Sequence, residues 1–399
     1  MTRSYLVGKS CWYVKVLFIT LVTFAPAINA AWLSNGPAGV EVTDFALAPS
    51  KPATVIATSS VGNRGIWTSA DSGATWTQRV NTESYDGAAF KADNFNYMQA
   101  GVFEGVIRNS VDGGVLWADT NFSASHDSWI IAFSPSSVNT VYAAGYTGGP
   151  PDTGILQKST TDPTIMVDWD SFAIGGDLNP PTFSLAIAST DANTVYVGAQ
   201  PSGDNNDGLY KTTDGAVSWS YLSSLNITLV NALAVDPTDP DYVYAGTAGS
   251  GLIQRSSDGG ANWAIVHDPN NGGVAGFTSV RGLVINPVDR RIIYAVGGSG
   301  STKVIASTDC GVSWSNVDST GLLSGLPDKV LIDPTNNFLV MVRTTTGFMY
   351  SEALLTTATG NCSANPGAPD GDGGAFDYLL LSMLMLIGVV RYRTRRISA

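Results

Sequence analysis

Two short patterns, interleaved and repeated along most of the chain, restrict this sequence to an architecture of stacked or circular units. The first is an apolar run, a turn carrying Pro or Asp, and a second apolar run. It begins at Ala46, Ala88, Ala132, Ala186, Ala234, Val284 and Leu331, which makes seven copies 42 to 54 residues apart. The second reads Ser/Thr-x-Asp-x-Gly-x-x-Trp. It is complete at Ser69, Asp71, Gly73 and Trp76; at Ser110, Asp112, Gly114 and Trp117; at Ser256, Asp258, Gly260 and Trp263; and at Ser307, Asp309, Gly311 and Trp314. A fifth copy, Thr212, Asp214 and Trp219, has Ala216 in place of Gly, and a worn trace surrounds Ser159, Asp162 and Trp169.

Each period holds four short strands, here a to d from the axis outward, which is the content of one propeller blade. Strand a precedes the Pro turn, b follows it, c leads into the second motif and d begins at its Trp. The seventh copy supplies a strand c but no motif and no Trp, whereas Trp32-Leu33-Ser34-Asn35 near the start repeats Trp314-Ser315-Asn316. The fold predicted is all-β: a seven-bladed β-propeller whose ring is closed by an N-terminal strand in the last blade. Closure hides the pairing groups that an open sheet edge would leave exposed.

The second motif resembles the Asp box of BNR-like propellers, a group that includes sialidases, sortilin-type receptors, xyloglucan-cleaving enzymes and photosystem II assembly factors. The resemblance covers roughly residues 32 to 355. Physical chemistry gives the box a structural role. Its Asp and Ser/Thr accept hydrogen bonds from turn N–H groups, its Gly permits a positive φ, and its Trp covers the hairpin. An active site needs one constellation, whereas a fold element recurs in every blade. The arginine motif of the sialidases that the chain resembles is missing, and only Glu41, Glu83, Glu104 and Glu352 are available as glutamates between the terminal segments. A glycosidase built on two aspartates stays open.

The ends differ in kind from the repeats. Arg3, Lys9 and Lys15, an apolar run from Val16 to Phe24, and small residues up to Ala30 read as a signal peptide over residues 1–30. The propeller is expected over 31–360, a Pro/Gly/Asp linker over 361–374, and an apolar segment with Arg391, Arg393, Arg395 and Arg396 over 375–399. This last part resembles the GlyGly-CTERM sorting tails that a rhomboid-type protease removes; a lasting single-pass anchor is the alternative. The expected location is therefore outside the inner membrane, in transit through it and then at the cell surface or in the medium. Without both ends, 14 basic side chains face 32 acidic ones, a balance that disfavours nucleic acid. Cys11 falls in the signal segment, and Cys310 and Cys362 remain as a candidate disulfide.

No zinc cluster, phosphate loop or dinucleotide fingerprint occurs, so no metal and no cofactor is expected. His126 and His267 stand in polar sequence and are expected at the surface. Length variation falls on the loops b to c and d to a, which share the face opposite the boxes, and variable loops on a rigid scaffold are where binding concentrates. At the starts of the inner strands this face gathers Asp44, Asp86, Asp127, Trp129, Phe183, Asn231, Arg281 and Asp328 as candidate binding residues. The function expected is non-catalytic binding of an extracellular protein, peptide or glycan. A glycoside hydrolase is the alternative, and an assembly role the third.

Overall fold

The computed structural model describes residues 32–353 except 104, 121–127, 148–152, 162–168, 173–181, 200–207, 223–228, 248, 300–301, 318–324, 336–338 and 348, together with residue 362. The signal segment, the linker beyond Cys362, the apolar tail, Asp127, Asp162 and His126 lie outside the described residues. Among those described, every regular element is a strand, and the strands form seven four-stranded antiparallel sheets. Six of these are simple meanders. The seventh joins Leu33–Ser34 to three strands from the other end of the chain, with Leu33 opposite Ser351 and Ser34 opposite Tyr350.

The inner strands start at Asp44, Tyr85, Ser128, Thr182, Val230, Val280 and Pro327. The outer strands begin one residue after the motif Trp, as Thr77–Val80 follows Trp76 and Ser315–Asn316 follows Trp314, and Leu33–Ser34 follows Trp32 in the same way. Strands b are almost wholly buried, because both of their faces are covered by neighbouring sheets; Val195–Ala199 and Val243–Thr247 show no exposed position.

The core is a ring of seven apolar clusters, one at each junction of successive sheets. Trp76, Trp117, Trp169, Trp219, Trp263, Trp314 and Trp32 each pack into a different one. The tryptophans thus do more than cover their own hairpins: each wedges its sheet against the preceding one. Trp32 occupies this place for the seventh sheet, buried beside Tyr294, Val304 and Val342. Trp169 does so where the rest of the third box is worn away, and its indole N–H donates to Thr120 Oγ1 at 3.3 Å.

The box turns also receive the preceding sheet. Lys158 Nζ, Lys211 Nζ and an Arg255 guanidinium nitrogen donate to the carbonyls of Gly215, Gly259 and Cys310 at 3.1, 3.1 and 3.0 Å. Tyr142, Tyr196 and Tyr244 hydroxyls reach the carbonyls of Ala192, Pro240 and Cys310 at 2.9, 3.0 and 2.8 Å. Burial pushes the Tyr244 phenol up to about 12, so these hydroxyls stay donors at any physiological pH.

Within each complete box the geometry repeats. The Ser or Thr hydroxyl donates to the Asp Oδ1 at 2.7–2.8 Å and accepts the N–H four residues on, at Gly73, Gly114, Ala216, Gly260 or Gly311, at 2.7–3.0 Å. Two successive residues of each turn have positive φ, Ser72 with Gly73 and Cys310 with Gly311 among them. Ala216 is the one copy where a Cβ sits at the second of these positions, with φ 79°. There the buried Trp219 indole N–H finds no acceptor among the described residues, whereas Trp117, Trp263 and Trp314 donate to the Gly carbonyl three residues back at 3.0–3.1 Å.

Cys310 is bonded to Cys362, with a Cα–Cα distance of 5.4 Å, so the chain beyond the seventh sheet returns to the sixth box.

Candidate functional site

An open cavity of about 550 Å³ lies on the axis at the end of the molecule away from the boxes. Its wall is the first turn of the inner strands, and a recurrent irregularity shapes it. Five of the seven inner strands carry a register shift one residue after they begin. The extra residue is Asp86 in the second sheet, Phe183 in the fourth, Asn231 in the fifth, Arg281 in the sixth and Asp328 in the seventh. A bulge breaks the alternation of faces and turns a side chain that would enter a sheet interface toward the axis. Asp86, Asn231, Arg281 and Asp328 all line the cavity.

Asp44 also lines the cavity but from a regular register, opposite Thr58. Its oxygens are committed: Oδ1 pairs with Lys329 Nζ at 2.5 Å and Oδ2 accepts the N–H of Ala88 at 3.0 Å. It therefore ties the seventh, first and second sheets together. Trp129 lies in the inner strand Ser128–Phe133 and Phe183 in Thr182–Ile187, but their side chains, like Asp127 as a whole, are outside the described residues.

Asp328 is held bidentately by Arg343, with Nε to Oδ1 at 3.0 Å and an Nη to Oδ2 at 2.7 Å. The other Nη of Arg343 donates to the carbonyl of Thr43, which carries the contact across the ring seam. Burial raises the Asp328 pKa and the nearby Asp44 charge raises it further, and together they outweigh the lowering by Arg343 and by the charge of Arg281. The cavity thus holds a carboxyl that keeps its proton to higher pH than an ordinary aspartate.

Lys329 and Arg343 were not among the residues singled out from sequence. A signal existed for one of them: Arg343 stands in an apolar strand b at the repeat position held by Thr58, Ala144 and Gly246 in other copies. One further expectation needs correction. His267 is buried, not at the surface. Its Nδ1 donates to the Gly251 carbonyl at 2.8 Å, its Nε2 accepts the N–H of Val274 at 3.0 Å, and its ring meets Phe277 and Trp314 edge to face. Burial lowers its pKa, which keeps the ring neutral and fixes the loop between the fifth and sixth sheets. No group of three or more His, Cys, Asp or Glu suited to a metal ion occurs among the described residues.

No family model matches the chain. Parts of it resemble xyloglucanases. One from Paenibacillus sp is 32% identical over 147 residues, 33% of this chain and 14% of the relative. Another, from Hypocrea jecorina (strain QM6a), is 28% identical over 243 residues, 50% of this chain and 28% of the relative. The chain accordingly matches between 14% and 28% of the length of these curated relatives. Among solved structures, an ancestral GH74 enzyme superposes with a TM-score of 0.62 at 20% identity, over 80% of this chain and 46% of the other. YCF48 bound to D1 peptide superposes with a TM-score of 0.59 at 14% identity, over 82% and 97%. These likenesses agree with the sheet arrangement in making the chain a β-propeller.

Proposed function

We propose that this chain is an exported seven-bladed propeller that acts on a xyloglucan-type polysaccharide as a glycoside hydrolase, with the axial cavity as its site. The observation that carries this reading is the sequence similarity to several xyloglucanases, which reaches half of the chain. It reverses the expectation of pure binding drawn from the sequence, where the glycosidase was the alternative. In this reading Asp328 is the acid. Burial shifts its pKa upward, the direction a general acid needs, and substrate entering the cavity would have to free one oxygen from Arg343 before that oxygen can donate a proton to the glycosidic oxygen. Asp86, two sheets further round the ring, supplies the opposing carboxylate, and the distance between the two carboxyls in the complex decides whether configuration is retained or inverted.

Export completes the proposal. Residues 1–30 act as a signal peptide, and residues 375–399 hold the chain in the inner membrane until a rhomboid-type protease releases it to the surface or medium.

A second reading rests on a specific observation. Asp44 and Asp328 are each locked to a cation, which suits a rigid binding rim as well as a catalytic one. One experiment separates the two: incubate the full chain with xyloglucan, follow released oligosaccharides by chromatography, and measure retention on immobilised xyloglucan in parallel. Product formation that falls at least about 100-fold in Asp328→Asn, the scale for loss of a general acid, supports the hydrolase. Retention with no product at any pH from 4 to 8 leaves only the binding rim, and neither result with either assay removes xyloglucan altogether.

A further inference from the structure

The cations that line the axial cavity are not equivalent. Lys329 is paired with Asp44 and Arg343 with Asp328, whereas Arg281 is exposed and has no ion pair or hydrogen bond among the described residues. On the adjacent inner strand, Asn231 has its side-chain oxygen buried and without a hydrogen-bond partner among the described residues. Both are bulge residues and both face the same cavity; Arg281 reaches the fold only through its charge, which acts to lower the pKa of Asp328. A buried amide oxygen left unpaired is costly, and an unpaired guanidinium in a cavity is an unused fork of donors. Their mounting is nevertheless firm. The Ser184 hydroxyl donates to the Val230 carbonyl beside one bulge, and Gly298 N–H donates to the Ser279 carbonyl beside the other at 2.7 Å. The neutral, doubly bonded His267 fixes the loop that leads into Val280.

We infer that the fifth and sixth sheets form a subsite for a carboxylate-bearing sugar, in which Arg281 pairs with the carboxylate and Asn231 with a neighbouring hydroxyl. The inference rests on the axial cavity being a glycan site. The planar guanidinium matches a carboxylate in two parallel hydrogen bonds, and the amide can both give and accept one from a hydroxyl. A doubly charged phosphate is disfavoured, since Asp86 and Asp328 line the same space. Ala232, Leu233 and Leu283 line the same cavity and offer apolar surface to the C–H face of a pyranose. The cavity volume of about 550 Å³ is in the range of ordinary small-ligand sites.

The test is calorimetric titration of the full chain with methyl β-D-glucuronide and methyl β-D-glucoside, in wild type, Arg281→Gln and Asn231→Ser. Arg64→Gln, an exposed cation on the rim of the first sheet, serves as the control. The expected result is at least a ~10-fold preference for the glucuronide, lost in Arg281→Gln, reduced in Asn231→Ser and kept in the control, on the scale of one charge-assisted pair. A xylo-oligosaccharide capped by glucuronate, run alongside free glucuronate, tells a polymer-borne acid from a free one by which of the two binds more tightly. Equal affinity for glucoside and glucuronide overturns the subsite and leaves the glycan site standing. Hydrolysis or retention of xyloglucan with no affinity for either glycoside overturns the subsite alone, and no affinity for any of the three removes both.

Discussion

The two ends of this propeller are built from the same seven sheets by opposite rules. At the box end, five turns repeat one hydrogen-bond scheme almost atom for atom, closed locally or by the preceding sheet, with the Trp219 indole N–H as the exception. At the cavity end no such scheme repeats: Asp44, Asp86, Asn231, Arg281 and Asp328 face the axis, the last four from bulges, and the Asn231 side-chain oxygen has no hydrogen-bond partner among the described residues. Repetition marks what the scaffold needs; divergence at equivalent positions marks what only the whole ring needs. A residue type that recurs in every blade is thus a poor candidate for chemistry however reactive it looks, and a residue that differs at one height in each blade is a good one.

Substitutions can break this contrast. The largest stability effect is expected at a wedge: Trp263→Ala should cost about 3–5 kcal/mol, the range for a large aromatic removed from a core, read by denaturant unfolding. Any affinity for glycans should persist in the folded fraction. A cost below 1 kcal/mol would detach the Trp from the ring junction. Replacing both Cys310 and Cys362 by Ser should cost about 2–4 kcal/mol, the usual worth of a disulfide, and reduction of the wild type should lower its melting temperature similarly.

Acid should act on the box end in a particular window. Thr75 and Ser218 hydroxyls and backbone N–H groups hold Asp71 and Asp214 at about 2, against 3.8 for a free side chain. Since the folded pKa is depressed, the stability they add is fully present above 3.8 and drains away as pH falls toward 2. The gap in melting temperature between wild type and the Asp71→Asn, Asp214→Asn double variant should therefore narrow across that window; a constant gap would contradict the assignment. The smallest expected change is a gain. Ala216→Gly relieves a side chain at positive φ and should stabilise by about 0.5–1 kcal/mol after the entropy cost of glycine, visible as a rise in melting temperature.

How far the sequence could be read follows the same division. The repeat spacing, the strand order and the N-terminal strand in the last sheet were legible because each depends on local pattern: alternating burial, turn residues, and a Trp-Leu-Ser-Asn copy of an internal motif. The height at which Asp86, Asn231, Arg281 and Asp328 meet was legible too, from the start of each inner strand. The bulges were not. An added residue leaves no mark in a short apolar run, and only pairing with strand b reveals it. The seam contacts were hidden because Lys329 and Arg343 find their partners 285 and 300 positions away. His267 misled for a related reason: Asp268, Asn270 and Asn271 follow it in sequence, but Phe277 and Trp314 surround it in space.

The bond between Cys310 and Cys362 sets a polarity for the whole molecule. Cys362 is moored beside the short turns of the fifth and sixth sheets, around Pro237, Pro287 and Arg291, on the boxed pole. Any leash that begins there departs from the underside of the wheel, while the cup containing Asp328 and Arg281 opens at the upper pole. The point of attachment and the candidate site therefore stand at opposite poles of the ring.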